Sequence, residues 1–505
     1  MTATPGDRLV ATVAVCAAGL ALAAALVVAV EVSRARAFQV DEVEHLHAAF
    51  NLRRGTELYR DFWQGHNPLL YAVLYPLADP ADPVTGFRAA RWLSFACLLA
   101  TAGCAGFCAY RLRGAPAGWL AGGLLLLHST MVERGIEVRP DGWLALCAVL
   151  ALAVHMTELS PLRRHVIEGL LLAAAFLFTQ KAVVLCAAFR PALAVGGDPP
   201  PLARPGRGPD VGLERSHSGD CGVALDARKL GRVPRVQRPV DRTQRRPLRP
   251  PGPQLRSLAR ARRRRAAEHP LRRPRRGVTP VGRPAPRARG AVALLALAGL
   301  AYLVVNPFPF PYTHVAVLPF FAILLGCAAI TWARGLKRAG GALVPLAVAG
   351  VLLGAAATSF PRLIAKTTTG NDYQLQVLRE IQRITRPGDA VFDMAGLYAR
   401  PDAYPVYLMT GALYQSYLAG EFPPMIPTWR ERGLVAMIEN YRVHWLGPPE
   451  FDFLANNMVY WGSNIYVSGA GIRDLRPGTR RASRSSRRTA TVSTARAVSW
   501  STVRR

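Results

Sequence analysis

Eight stretches of 15 or more residues run through this chain almost without charge: 9–30, 87–110, 115–131, 142–156, 166–189, 291–305, 315–332 and 342–358. No other feature constrains the fold as tightly. A bilayer core of ~30 Å takes ~20 apolar residues of helix to cross. Inside it every backbone N–H and C=O must be paired within its own segment, which selects helices. The first run has 22 uncharged residues with only Arg8 close before it. A cleaved leader has a shorter apolar core and a stronger basic start, so 9–30 is expected to remain as a span. The expected fold class is an all-α polytopic membrane protein.

Basic connections orient the spans, because Lys and Arg are retained on the cytoplasmic side. Arg111 and Arg113, then Arg163 and Arg164, then Arg334, Lys337 and Arg338 mark three such connections. The amino terminus is then cytoplasmic, and the polar loops 31–86 and 132–141 face outward. So does the turn NPFPFPYTH, whose prolines cannot continue a helix. This orientation contains a parity fault. The fifth span ends outside and the sixth begins inside, yet no crossing lies between 190 and 290. At roughly thirty residues per span with its loop, three crossings fit that length, for about eleven in all.

Charge points to the same place. The chain carries 63 basic and 32 acidic residues, a net +31. Such a balance can mark nucleic-acid binding or an anionic membrane surface. Here 190–289 holds 26 basic and 7 acidic residues, 473–505 holds 10 and 1, and the remainder an ordinary 27 and 24. No nucleic-acid partner is therefore expected. Segment 190–289 has 17 of the 40 prolines and no Ile, Phe, Tyr, Trp, Met or Asn. It cannot bury enough apolar surface to offset its chain entropy, so disorder is expected. Two origins stay open, a natural basic linker and a frame slip in a GC-rich gene. Out-of-frame GC-rich codons decode mainly as Arg, Pro, Gly, Ala and Leu. The abrupt edges, the matching Arg-rich tail and the parity fault favour the slip.

From 359 the spans stop, and 359–472 is expected to be a small extracytoplasmic α/β domain. DYQLQVLREIQRITRPGDAVFDM reads as an amphipathic helix with Leu375, Leu378, Ile381 and Ile384 on one face, then a turn and a strand. GLVAMIENYRVHWLGPP is expected to repeat helix then strand. Tyr404, Tyr407, Tyr414, Tyr417 and Trp429 are either core or a sugar-facing surface, core being the better supported. The chain thus divides into a membrane region 1–189, the basic segment 190–289, membrane helices 290–358, the domain 359–472 and the tail 473–505. The eight cysteines show no CxxC spacing, so neither a zinc site nor a disulfide framework is indicated. No cofactor is expected, although a divalent metal stays open.

The chemistry concentrates in 38–76, FQVDEVEHLHAAFNLRRGTELYRDFWQGHNPLLYAVLYP, inside the first external loop. Asp41, Glu42, Glu44, His45, His47, Asp61 and His66 lie there, and ionisable groups so close to a span are costly to place. Asp41 precedes an expected helix over 43–54, so a helix cap is one reading of it. Arg139 and Lys181 are fixed cations near the outer face and suit a phosphate. Their plainer readings are a surface pair with Asp141 and a snorkelling side chain. His45 and His47 alternate along the helix and do not face one way.

The loop resembles the first external loop of GT-C-fold glycosyltransferases, nearest the bacterial relatives of protein mannosyltransferases and of lipid A aminoarabinose transferase. Asp41-Glu42 stands at their acidic pair, and His66-Asn67-Pro68-Leu69-Leu70-Tyr71 at their Lys/His-Pro-Pro-Leu-Tyr-Tyr-like stretch. RPD at 139–141, Thr179-Gln180-Lys181 and NPFPFPY continue the order. The resemblance covers 1–189 and 291–470. It implies a GT-C-like helical bundle in the plasma membrane that transfers a sugar from a polyprenyl-phosphate donor to a glycan, lipid or protein acceptor on the outer side. Asp41 would be the base; Glu42 would orient the acceptor or hold the loop. His66, where relatives often carry Lys, would touch the donor phosphate as an imidazolium or merely pack the loop. Single displacement by an activated hydroxyl inverts the anomeric carbon, and no second carboxylate stands ready as a nucleophile. Two alternatives stay open. One is a polytopic transporter, which calls for charges at mid-membrane and repeat symmetry. The other is an inactive frame-shifted product of a glycosyltransferase gene.

Overall fold

The computed structural model describes residues 4–196, 286–306, 310–335, 342–406 and 411–469, all within one compact unit. The expectations for 197–285 and for the tail from 473 lie outside them, as does Tyr407. In the first half α1 (Pro5–Ala35) leads to α2 (Val40–Arg53), α3 (Leu69–Leu74), α4 (Pro83–Arg113), α5 (Ala115–Leu127), α6 (Ser129–Gly135), α7 (Pro140–His155), α8 (Pro161–Phe178) and α9 (Ala182–Gly196). Then come α10 (Pro286–Val305), α11 (Leu318–Gly335) and α12 (Leu343–Ala365).

Four of these helices, α1, α4, α11 and α12, are long and apolar enough to cross a membrane; α5 and α6 make a fifth if their 65° bend is counted within one span. This is fewer than the eight apolar runs. The run 166–189 is split because Thr179 turns extended after α8, and α9 begins only at Ala182. The run 115–131 bends at His128, and the expected loop 132–141 begins as α6. Small residues set the packing. The buried stripe of α1 is Ala14, Ala18, Ala21, Ala25 and Ala29, which lets α12 approach closely. A Cβ on Gly118 of α5 would sit 2.9 Å from the carbonyl oxygen of Gly106 on α4, so only glycine permits that crossing.

The remaining elements are α13 (Asp372–Ile384), β1 (Ala390–Phe392), α14 (Gly411–Leu418), α15 (Met425–Arg432), β2 (Leu434–Ile438), α16 (Pro448–Asn457), β3 (Met458–Gly462) and β4 (Ile465–Ser468). The strands form a sheet in the order β1-β2-β4-β3, with β1 parallel to β2 and the other pairs antiparallel. Its two faces carry separate cores. Val391 and Ile438 pack with Val377 and Ile381 of α13 on one, and Phe392 and Met437 pack with Tyr404 and Trp429 on the other. The amphipathic helix is therefore placed as expected, and Tyr404 and Trp429 are core. The second expected helix-then-strand is corrected. Gly433, at φ 69°, has already ended α15, so the apolar run after it forms β2 at once, and 443–445 is only a 3-10 turn.

This domain is stitched to the exit of α1. Ala37 N–H donates to Thr369 (3.0 Å), and Asn371 N–H donates to Ala35 (2.9 Å). The Gln374 amide grips both backbone groups of Phe38, at 2.6 and 2.8 Å. The first residues of α2 are thereby held against α13.

Candidate active site

α2 presents two polar faces. Asp41, Glu44 and His45 are spaced i, i+3 and i+4 on one; His47 and Asn51 lie on another. The residue before the helix is Gln39, whose N–H donates to Glu42 (2.9 Å). Asp41 is thus not the cap, and its carboxylate pairs instead with the Arg139 guanidinium.

Glu42 is fully buried and saturated. Besides Gln39, it accepts from Arg91 Nη2 at 2.5 Å and Nε at 3.1 Å, and from Val138 N–H at 3.2 Å. Those bonds tie α2 to α4 and to the segment before α7. Of its two expected roles, this geometry matches holding the loop.

Arg139 stands just before α7, with its guanidinium carbon 3.6 Å from the centroid of the Tyr312 ring. Its Nε lies 3.7 Å from Asp141 Oδ2. Lys181, in the break between α8 and α9, reaches Asp141 Oδ1 at 2.8 Å and lies 4.7 Å from the same ring. Arg139 is therefore more than a surface pair and Lys181 does not snorkel. Asp41, Arg139, Asp141 and Lys181 form an alternating chain of charge laid on Tyr312. Asp41 and Lys181 keep access, with side chains 31% and 25% exposed, while Arg139 and Asp141 are buried. Behind the chain, Arg36 pairs with Glu137 (2.9 Å) and Glu133 (3.1 Å), and Arg134 with Glu137 (2.8 Å). An anion arriving at this chain meets two cations beside a reachable carboxylate.

The neighbouring groups are neutral at pH 7. Burial, then the Lys181 and Arg139 charges, pushes the His66 imidazole down to about 4. In this geometry the ring offers a neutral donor and acceptor. His45 is fully buried, and burial holds it well below its usual value. Burial and then the Asp41 charge push Glu44 up to about 8. Among the described residues no three His, Cys, Asp or Glu side chains are grouped to hold a metal ion.

Sequence reasoning passed over Tyr312, Arg91, Glu137 and the environment of Glu44. Tyr312 was visible within NPFPFPY, read as a turn and as one of the ordered motifs, but was given no role of its own. Arg91 lay inside an apolar run, where a charge was itself the signal.

No family model and no curated protein sequence matches the chain. Two solved structures match it, both of ArnT from Cupriavidus metallidurans. The form bound to undecaprenyl phosphate matches at TM-score 0.52 and 13% identity, and the apo form at 0.51 and 15%. Each match covers 89% of this chain and 97% of ArnT. With the mostly helical architecture and the small four-stranded sheet, this places the chain in the GT-C-like fold that its motif order led us to expect.

Proposed function

We propose that this chain is an integral-membrane glycosyltransferase that moves a sugar from a polyprenyl-phosphate carrier to an acceptor hydroxyl outside the plasma membrane. The observation that carries it is the chain of charge on Tyr312, where a solvent-reached carboxylate stands beside two cations. That ArnT binds undecaprenyl phosphate supports the choice of carrier.

Each residue then has a task. Lys181 and Arg139 take the carrier phosphate and stabilise its charge as it leaves. Arg139 is the counter-ion of Asp41. When phosphate draws that guanidinium away, the carboxylate loses a partner that favours its charged form and becomes a stronger base. Asp41 takes the acceptor proton, and attack opposite the phosphate inverts the anomeric carbon. Glu42 holds α2 so that Asp41 faces Arg139. The acceptor is a glycan, a lipid or a protein.

The test is transfer of radiolabelled sugar from undecaprenyl-phosphate sugars by the full chain in membranes. The parent should transfer label, and Asp41→Asn should lose it while Arg139 remains folded in place. Label transfer undiminished by Asp41→Asn would sink the assignment. Uptake into vesicles without transfer would replace it with the transporter reading.

A further inference from the structure

Beside the charged chain lies a second group of polar side chains with unusual bonding. His45 is fully buried, yet neither of its ring nitrogens has a hydrogen-bond partner. His66 Nδ1 is likewise buried and unpartnered. The two rings meet edge to face, 5.0 Å between centroids, and Tyr71 lies 5.9 Å from His45. Buried polar atoms in folded proteins are paired almost without exception, because each unpaired one forfeits its hydration for nothing. Three such atoms on two adjacent rings therefore point to a polar ligand.

The ligand's chemistry follows from the rings. Both imidazoles are neutral, so each offers one N–H donor and one nitrogen acceptor. An anion would find no charge here, and a cation no carboxylate cage. Hydroxyl groups, which donate and accept at once, match that pair. An aromatic edge is present as well. Trp63 is 40% exposed, and its ring lies so close to Gly65 that a Cβ there would come within 3.1 Å of it. Flat apolar rings beside neutral polar groups suit the mixed faces of a sugar.

Position decides which sugar. The charged groups nearest His66 are Lys181, Asp141, Arg139 and Asp41, the chain assigned above to the carrier phosphate. A sugar joined to that phosphate through its anomeric carbon falls beside these rings. His66 and Trp63 ride on loop 56–68, which buries Phe62 and Gln64, the latter accepting from Tyr71 Oη at 3.0 Å. Tyr59, itself at φ 66°, donates to the His66 carbonyl at 2.5 Å. Gln180 reaches the Gly65 carbonyl at 3.3 Å, and Asn67 reaches Phe176 at 2.5 Å. Gln180 lies in the α8–α9 break that carries Lys181, and Phe176 in the last turn of α8 before it.

We propose that His45 and His66, with Trp63 at the rim, form the subsite for the transferred sugar, entered when loop 56–68, which carries His66 and Trp63, moves away from His45. The proposal rests on the polyprenyl-phosphate reading and adds where the sugar is held. Arg139 and Lys181 give affinity for any such carrier; the two histidines tell a sugar-charged carrier from a bare one.

The experiment compares the full-length parent with His45→Phe and His66→Phe, each of which keeps an aromatic ring and removes the nitrogens. The probes are bare undecaprenyl phosphate and a panel of undecaprenyl-phosphate hexoses and pentoses. The parent should bind its preferred charged carrier at least tenfold more tightly than the bare one. Each variant should bind bare carrier within twofold of the parent and lose 10- to 100-fold for the charged one. Its melting temperature should hold or rise, since an unpaired polar group has been removed. Unchanged preference for charged carrier in both variants overturns the subsite alone. An equal loss for bare and charged carriers assigns the rings to packing and overturns it too. A parent that binds no carrier overturns the transferase reading, and the subsite falls with it.

Discussion

Two faces of one short helix behave oppositely. On one face of α2, His47 Nδ1 donates to the Tyr398 carbonyl at 2.6 Å and Nε2 lies within hydrogen-bond distance of Asp402 at 2.7 Å. Asp402 also accepts from Tyr398 Oη at 2.7 Å and Asn51 at 2.9 Å. On the other face, Asp41 has one guanidinium partner and His45 none. The two faces share a helix and a mixture of acids and imidazoles. The difference lies in completeness. Saturated polar groups hold a structure together, whereas incomplete ones keep capacity for something that arrives later.

Substitution can break this contrast. Asp41→Asn carries the largest effect: transfer should fall ~10²- to 10⁴-fold, the usual worth of a positioned base, with no loss of melting temperature. His47→Leu should do the reverse. It takes the imidazole away from buried Asp402, a change that costs ~3–5 kcal/mol, visible as a lower denaturant midpoint. A His47→Leu variant that keeps its stability while losing transfer would erase the distinction between the faces. Tyr312→Leu removes the ring under Arg139 and Lys181; at ~1–2 kcal/mol for a desolvated cation–π contact, KM for the carrier should rise up to ~30-fold with kcat little changed.

A further test sharpens the contrast by pH. Glu44 keeps its proton to about pH 8 in the folded chain but releases it near ~4.3 when unfolded. Between those values the folded state binds the extra proton, so stability declines as pH rises and levels off above 8. Glu44→Gln removes that decline. The melting temperature of the variant relative to the parent should climb from pH 4.5 to pH 8 and stay flat beyond. A constant difference across that range would show that Glu44 ionises like a surface acid.

Much of the site was legible because its members fall in short motifs in a fixed order. Asp41, Arg139 and Lys181 were all singled out, and the structure brings them together. What stayed hidden is what depends on partners remote in sequence. Glu42 looked like half of an acidic pair until Arg91, 49 residues on, closed around it. His47 could not be told from His45 without Asp402, 355 residues away. The depressed pKa of His66 follows from desolvation of its ring and the nearby Lys181 and Arg139 charges, and no spacing encodes those surroundings. In the fold, hydropathy found the apolar runs but not their breaks, because Thr179 and His128 interrupt helices without changing the mean apolar character. β2 was misread because a five-residue buried strand and one turn of buried helix share the same composition.

The stitch between the exit of α1 and residues 369–374 sets a timetable. Asp41 is made early, yet the backbone that frames α2 is completed by Thr369, Asn371 and Gln374, and its far face by Asp402. At ~5–20 residues per second of synthesis, those partners emerge roughly 20–70 s later. Until then the first loop waits beside the membrane with His47 and the backbone of Phe38 unmatched. A ribosome that stopped before residue 369 would leave the apolar helices in lipid and the first loop without its frame, so the proposed activity cannot outrun synthesis of the residues that follow α12.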